Sequence, residues 1–301
     1  MSKYDFFYLI KKIESYDFEY EPFKHIYIED FFSKEHFEEI IRSSEIALPK
    51  AANDKELIDS LLENGFKQIP FPGCIEDVSE YINWHQRGKG APRHTACEGF
   101  GMTFRLFKFS TLILRELNNF LLSKEFNQVI AKKFNIVYEN CLVDGGIQKY
   151  LDGYEISPHP DVRKKAATFM VNINQSNESE KQNHHTHYLK LKKTHKYIQE
   201  FWEGNKNIDR SWLPWNWAKT IKQQKKNNSI VLFSPSNDTL HGIKADYDHL
   251  QFQRTQLYGN LWYKESSIDK VLEWEDLDLS RKATDRKLIA NQKINRLLNI
   301  H

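Results

Sequence analysis

The sequence predicts an α+β fold, with a β-rich core of sandwich or jelly-roll type supported by N-terminal and C-terminal helices. Three observations lead there. Across 141–264, short β-like runs alternate with turns. Before that stretch the apolar residues fall mostly at helical spacing, and after it leucines do the same. A chain of 301 residues, 40% hydrophobic and 14% aromatic, has apolar material for a substantial core.

Taken in order, residues 21–32 contain an alternating stretch that reads as a strand, with Phe23, His25 and Tyr27 opposite Ile26 and Ile28. Ser33 reads as an N-cap, followed by the helical stripe Phe37, Ile40, Ile41. Residues 54–64 read as a helix closed by Gly65. Residues 85–101 hold four glycines with Arg87, Lys89, Arg93 and His94, and read as a solvated loop, with contact to an anionic or sugar-like substrate as the alternative. Residues 111–134 carry Leu112, Leu114, Leu117, Leu121, Phe126, Ile130 and Phe134 and predict one or two helices. Strands are predicted at 147–150, 167–173, 229–234 and 254–263. Residues 188–226, rich in Lys and Trp, read as an insertion, and 266–301, with Leu277, Leu288, Ile294, Leu297 and Leu298, as a helical tail. The whole is expected to be one domain, with support in 1–140, the core in 141–264 and the tail in 265–301.

Composition narrows the function. Lys+Arg 43 against Asp+Glu 41 gives a net charge of +2, which is not the basic footprint of a nucleic-acid binder. Mean hydropathy is −0.67, and no run reaches the ~18 apolar residues of a membrane span. Residues 1–12 lack a signal peptide's apolar stretch, and Cys74, Cys97 and Cys141 are odd in number and widely spaced. A reducing, cytoplasmic location is therefore expected.

Histidine is the most informative residue type, because imidazole ligates metals and moves protons. With twelve His and 41 acidic residues in 301, one or two His-x-Asp/Glu matches arise by chance, and the sequence has two. In His36-Phe-Glu38, on a predicted helix, i and i+2 diverge. In His159-Pro-Asp161, extended backbone is expected between prolines, so i and i+2 share a side and can offer a nitrogen and a carboxylate oxygen to one metal. His241, after the 229–234 strand, supplies a third ligand. The rival, His249, sits in what reads as an exposed loop. Two His and a carboxylate on a β-scaffold are the ligand set of non-haem Fe(II) oxygenases. Arg254 opens the last strand, and its planar guanidinium suits a carboxylate-bearing cosubstrate.

In order along the chain, the opening 21–33 segment, Tyr150-Leu-Asp-Gly153 with His159-Pro-Asp161, the 167–174 strand ending in Asn, Leu240-His241-Gly242 and Arg254-Thr-Gln256 resemble the Fe(II)/2-oxoglutarate-dependent dioxygenases, nearest to their prolyl-4-hydroxylase-like group. The resemblance spans roughly 21–45 and 141–264. It implies a double-stranded β-helix, the cupin-like jelly roll. It implies Fe(II) on His159, Asp161 and His241, with Arg254 pairing the distal carboxylate of 2-oxoglutarate. Tyr150, Gln148 and Asn172 are candidate hydrogen-bond partners of that cosubstrate. O2 would then drive hydroxylation of an unactivated C–H, or a related oxidation, with release of succinate and CO2. The 80-residue gap between Asp161 and His241 and an Arg where the prolyl-hydroxylase branch often has Lys leave the small-molecule or peptide substrate unnamed.

Two other functions fit the β-scaffold. One is a cupin-like metalloenzyme that does not use 2-oxoglutarate. The other is a non-catalytic jelly-roll module that binds carbohydrate on Trp202, Trp212, Trp215 and Trp217, residues that otherwise read as packing or as a lid. His184-His-Thr-His187 follows a polar run and reads as a solvated loop rather than a second metal cluster.

Overall fold

The computed structural model describes residues 3–88 and 96–265. The alternation of the last predicted strand organises the molecule. β11 (Arg254–Tyr263) pairs antiparallel with β4 (Cys141–Tyr150) over its full length and with β6 (Lys165–Asn172) on its other side. Its Leu257 and Leu261 are buried in a core beneath the helices, while Arg254, Gln256, Tyr258 and Asn260 take the alternate face. Ile147 of β4 points to the helix side as well, with Gln148 and Tyr150 on the other.

Two antiparallel sheets result. The larger has seven strands in the order β1-β9-β6-β11-β4-β3-β2, adding β1 (Ile26–Ile28), β2 (Phe66–Gln68), β3 (Thr103–Leu106) and β9 (Ile230–Phe233). The smaller has four in the order β5-β10-β7-β8: β5 (Glu155–His159), β7 (Thr186–Leu191), β8 (Ala218–Gln223) and β10 (His241–Lys244). β9 is fully buried, which explains its uninterrupted Ile-Val-Leu-Phe run.

Helices α1 (Tyr8–Ser15), α2 (Lys34–Arg42), α3 (Asp54–Glu63), α5 (Leu112–Leu121) and α6 (Lys124–Lys133) bury their stripes in the core shared with the larger sheet. Ser33 caps α2, accepting from the His36 amide. Gly65, at φ +86, follows α3 as expected. The 111–134 stretch splits into two helices because Ser123 recaps the chain, accepting from the Phe126 amide.

Several expectations change. Residues 85–86 end a helix, α4 (Val78–Gln86), rather than opening a loop, and 89–95 lie outside the described residues with Lys89, Arg93 and His94. The ends of the 188–226 segment belong to β7 and β8, which pair with each other in the smaller sheet. Between them lie α7 (Tyr197–Gly204) and short turns. The expected tail helices lie outside the described residues. The three cysteines are unpaired, and no described helix is long and apolar enough to cross a membrane.

Candidate metal centre

His159 ends β5 and His241 opens β10. The two strands pair with these residues directly opposite each other, and their ring centroids are 4.3 Å apart. His159 Nδ1 lies 2.9 Å from the Ser157 carbonyl oxygen, and His241 Nδ1 3.1 Å from that of Thr239. A carbonyl oxygen can only accept, so each Nδ1 carries the ring proton and each Nε2 keeps its lone pair. Those two Nε2 atoms stand 3.5 and 3.8 Å from Oδ1 and Oδ2 of Asp161. Ligand atoms of all three residues lie within 4.8 Å of one another, so the trio can hold a metal ion. The backbone carbonyls behind the rings are the partners that orient ligating imidazoles in metalloproteins.

Asp161 reaches this point by a different route from the expected one. β5 ends at His159, and Asp161 has φ +59 instead of extended backbone. Asp tolerates this left-handed conformation better than most residues, and the turn swings its carboxylate back toward the two imidazoles. Thr168 Oγ1 donates to Oδ2 at 3.0 Å, and Lys165 Nζ lies 2.8 Å from Oδ1. Burial opposes the Asp161 charge, but Lys165, His241 and His159 outweigh it and hold the carboxyl well below its usual range. Burial, then the neighbouring His159, pushes His241 down to about 3, so its ring is neutral as ligation requires.

Residues 208–213, within the predicted insertion, clamp the ligand-bearing turn. The Leu213 amide donates to the Pro158 carbonyl at 2.8 Å, and Arg210 Nη1 to that of Pro160 at 3.2 Å. Trp212 lies beside His159, with ring centroids 6.1 Å apart. Trp202, Trp215 and Trp217 do not form one platform with it. Trp202 is buried in a small core against which Trp215 and Trp217 pack, and Trp215 Nε1 donates to Glu155 at 2.7 Å.

A cavity of about 350 Å³ opens beside the trio, lined by His159, Asp161, Gln148, Trp212 and others. Arg254 sits deeper, between the sheets, and is 3% exposed. Its Nη2 donates to Thr186 Oγ1 at 3.1 Å and Gln256 Oε1 at 2.7 Å, and its guanidinium carbon stands 4.3 Å from the Tyr150 ring centre. Its Nη1 is buried without a hydrogen-bond partner among the described residues. An unpaired donor on a buried guanidinium is costly, which fits a site that completes itself with a carboxylate. Tyr150 donates its hydroxyl proton to Gln148 Oε1 at 2.7 Å. Asn172 donates to the carbonyls of Gln224 and Lys226, accepts from Gln256, and does not line the cavity.

Two other histidine readings need correction. His184 and His185 are buried, not solvated. Nε2 of each contacts a carbonyl, of Ser179 and Glu180 respectively, and burial followed by Arg254 lowers them to about 3 and about 4. His249 is also buried, in a second trio with Asp54 and His85. Here the tautomer is the opposite. His249 Nδ1 accepts from the Asp152 amide at 2.9 Å, so Nε2 holds the proton and donates to Asp54 Oδ1 at 2.7 Å. His85 contacts carboxylates at both nitrogens, Asp54 at 2.9 Å and Asp152 at 3.0 Å.

Sequence reasoning missed Lys165, Thr168, Arg210 and Arg105, which surround the trio or line the cavity. Lys165 and Thr168 stand four and seven residues after Asp161, spacings that mean nothing without the turn. Arg210 lay in the segment read as an insertion, and no local pattern singled it out.

No family model and no curated protein matches the chain. Among solved structures it is similar to a Pseudomonas putida prolyl-4-hydroxylase, 7% identical over 85% of this chain and 98% of that one, with a TM-score of 0.39. It is similar to an oxidoreductase of the 2OG-Fe(II) oxygenase family from Burkholderia pseudomallei, 9% identical over 74% and 97%, at 0.31. It is also similar to HygX of Streptomyces hygroscopicus, solved with nickel, 2-oxoglutarate and hygromycin B, 9% identical over 66% and 83%, at 0.31. The first two come from the oxygenase group that the sequence motifs resemble.

Proposed function

We propose that this protein is an Fe(II)- and 2-oxoglutarate-dependent dioxygenase that hydroxylates an unactivated C–H bond and releases succinate and CO2, its two sheets forming a double-stranded β-helix. The observation that carries the reading is the trio itself: two imidazoles with Nε2 lone pairs and one ionised carboxylate converging on one point. Three protein ligands on one face leave positions for a cosubstrate and O2. Bound there, iron would supply the coupling of O2 reduction to 2-oxoglutarate decarboxylation.

The chain's own residues bind, orient and shield. Ser157 and Thr239 carbonyls fix the imidazole tautomers, and Thr168 holds one carboxylate oxygen of Asp161. Arg254 offers Nη1 to the far carboxylate of 2-oxoglutarate, while Thr186 and Gln256 hold Nη2 and the Tyr150 ring backs the guanidinium. Gln148 lines the cavity, Tyr150 on the same face of its strand donates to Gln148, and both can hydrogen-bond to the same cosubstrate. Buried Tyr154, Tyr188 and Tyr247 surround the arginine and exclude water, which strengthens its pairing with a carboxylate.

An anaerobic titration of the full chain with Fe(II) and then 2-oxoglutarate tests this. The expected result is the weak visible charge-transfer band of a chelated 2-oxo acid in wild type. In Arg254→Met, Fe(II) should still bind and 2-oxoglutarate affinity should fall about a hundredfold. Folded wild type with no band contradicts the reading. Metal binding that 2-oxoglutarate never perturbs would favour a metalloenzyme without that cosubstrate.

A further inference from the structure

Arg210 and Arg105 line the same cavity as His159 and Asp161. Each has a buried Nε with no hydrogen-bond partner among the described residues. Arg210 is 8% exposed, and its Nη1 is used on the Pro160 carbonyl. Arg105 lies over the Tyr258 ring, and Asp144, at 3.9 Å, is beyond hydrogen-bond distance. Lys165 already balances Asp161, so neither guanidinium is needed as its counter-charge. Arg254 does not line this cavity, so the pair is separate from the proposed cosubstrate anchor. Two planar donor forks with unused N–H groups suit an oxyanion. Glu98, Thr103, Gln148 and Lys165 also line it, so that apart from Asp161 one carboxylate stands against three cations, and the apolar part of the wall includes Phe71, Ile156, Trp212 and Trp262.

We infer that the substrate of the proposed reaction, on which this inference rests, carries a carboxylate or phosphate group that Arg210 and Arg105 bind. Its apolar body lies along Trp212 and Phe71, which places C–H bonds beside His159 at the trio. The oxyanion fixes which carbon is presented, and the aromatic wall takes up the remainder.

Isothermal titration of the metal-free full chain, with chelator present, tests the anion site. The probes are phenyl phosphate, benzoate and the neutral benzamide. At least one anion should bind about tenfold or more tighter than benzamide. The tighter of the two anions identifies the oxyanion as phosphate or carboxylate. Arg210→Gln should remove that preference and leave benzamide affinity unchanged. Arg105→Gln should do the same to a smaller degree and serves if Arg210→Gln does not fold. Arg254→Met should keep the probe affinities while losing 2-oxoglutarate. Equal affinity for all three probes, or an anion preference that survives both Arg210→Gln and Arg105→Gln, overturns the inference. A missing iron–2-oxoglutarate band alongside an intact anion preference instead overturns the reaction and leaves the anion site standing.

Discussion

Among the described residues lie two clusters of two histidines and an aspartate, and they differ in whether the ring nitrogens are free to ligate a metal. Around His159 and His241, backbone carbonyls take the Nδ1 protons and leave both Nε2 lone pairs turned toward Asp161. Around His249 and His85, the ring nitrogens are consumed. His249 Nε2 holds a proton for Asp54, because the Asp152 amide occupies Nδ1, and His85 bridges Asp54 and Asp152. The residue types are the same, but the carboxylate stands 3.5 and 3.8 Å from the imidazoles in the first and 2.7 and 2.9 Å in the second, and the groups behind the rings decide the chemistry. The second cluster ties α3 and α4 to the loops after β4 and β10 and serves as a brace.

The largest expected effect separates the two by substitution. His159→Ala or Asp161→Ala should weaken Co(II) or Fe(II) binding by more than about a hundredfold and abolish succinate formation. His249→Ala should leave metal affinity unchanged and lower stability by about 3 kcal/mol in urea denaturation, because it removes one of the two histidine partners of the buried Asp54 carboxylate and the acceptor of the Asp152 amide. If His249→Ala loses metal while His159→Ala keeps it, the assignment is reversed.

The next effect concerns the partners of the ligands. Thr168→Val should weaken metal binding by about tenfold with little change in unfolding midpoint, since Asp161 loses its positioning donor. Unchanged metal affinity would mean that the turn alone places the carboxylate.

The brace should also show in pH dependence. Hydrogen bonding to Asp152 raises His85 above its usual 6.5, against burial, with Asp54 adding to the rise. Its contribution to stability is therefore complete below pH 6.5 and is lost as pH rises through the folded value. Asp54 is opposite. Burial opposes its charge, but His249 and His85 lower it below 3.8, so its contribution is present above 3.8 and lost as pH falls through the folded value. Thermal midpoints of wild type should decline above pH 6.5, and His85→Gln should flatten that limb. An identical limb in the variant would place the titration elsewhere.

The smallest effect is at Lys165, whose cation beside Asp161 Oδ1 competes electrostatically with a divalent ion at the trio. Lys165→Met should tighten metal binding by a few-fold, about 1 kcal/mol. A looser metal would assign Lys165 a supporting role.

Much of this was legible in the sequence, and the failures have physical causes. His241 and Arg254 stood out in the sequence because one follows the apolar run Ile230–Phe233 and the other opens the alternating strand Arg254–Tyr263. β5 and β10 are too short, at five and four residues, to show a period of their own. The turn at Asp161 was not visible, because one residue in left-handed backbone breaks the extended reading without changing the composition. His249 looked exposed because its neighbours in sequence are polar. Its burial comes from Asp54 and Tyr81, which are far away along the chain. The partners of Asp161 and the clamp at 208–213 are likewise long-range, and no local pattern announces them.

The most direct test is a structure of the full chain loaded anaerobically with Fe(II), with anomalous scattering collected at the iron edge. The account predicts one strong peak within ligation distance of His159, Asp161 and His241, and none among Asp54, His85 and His249. A peak at the second cluster, or none at the first in iron-loaded crystals, would contradict it.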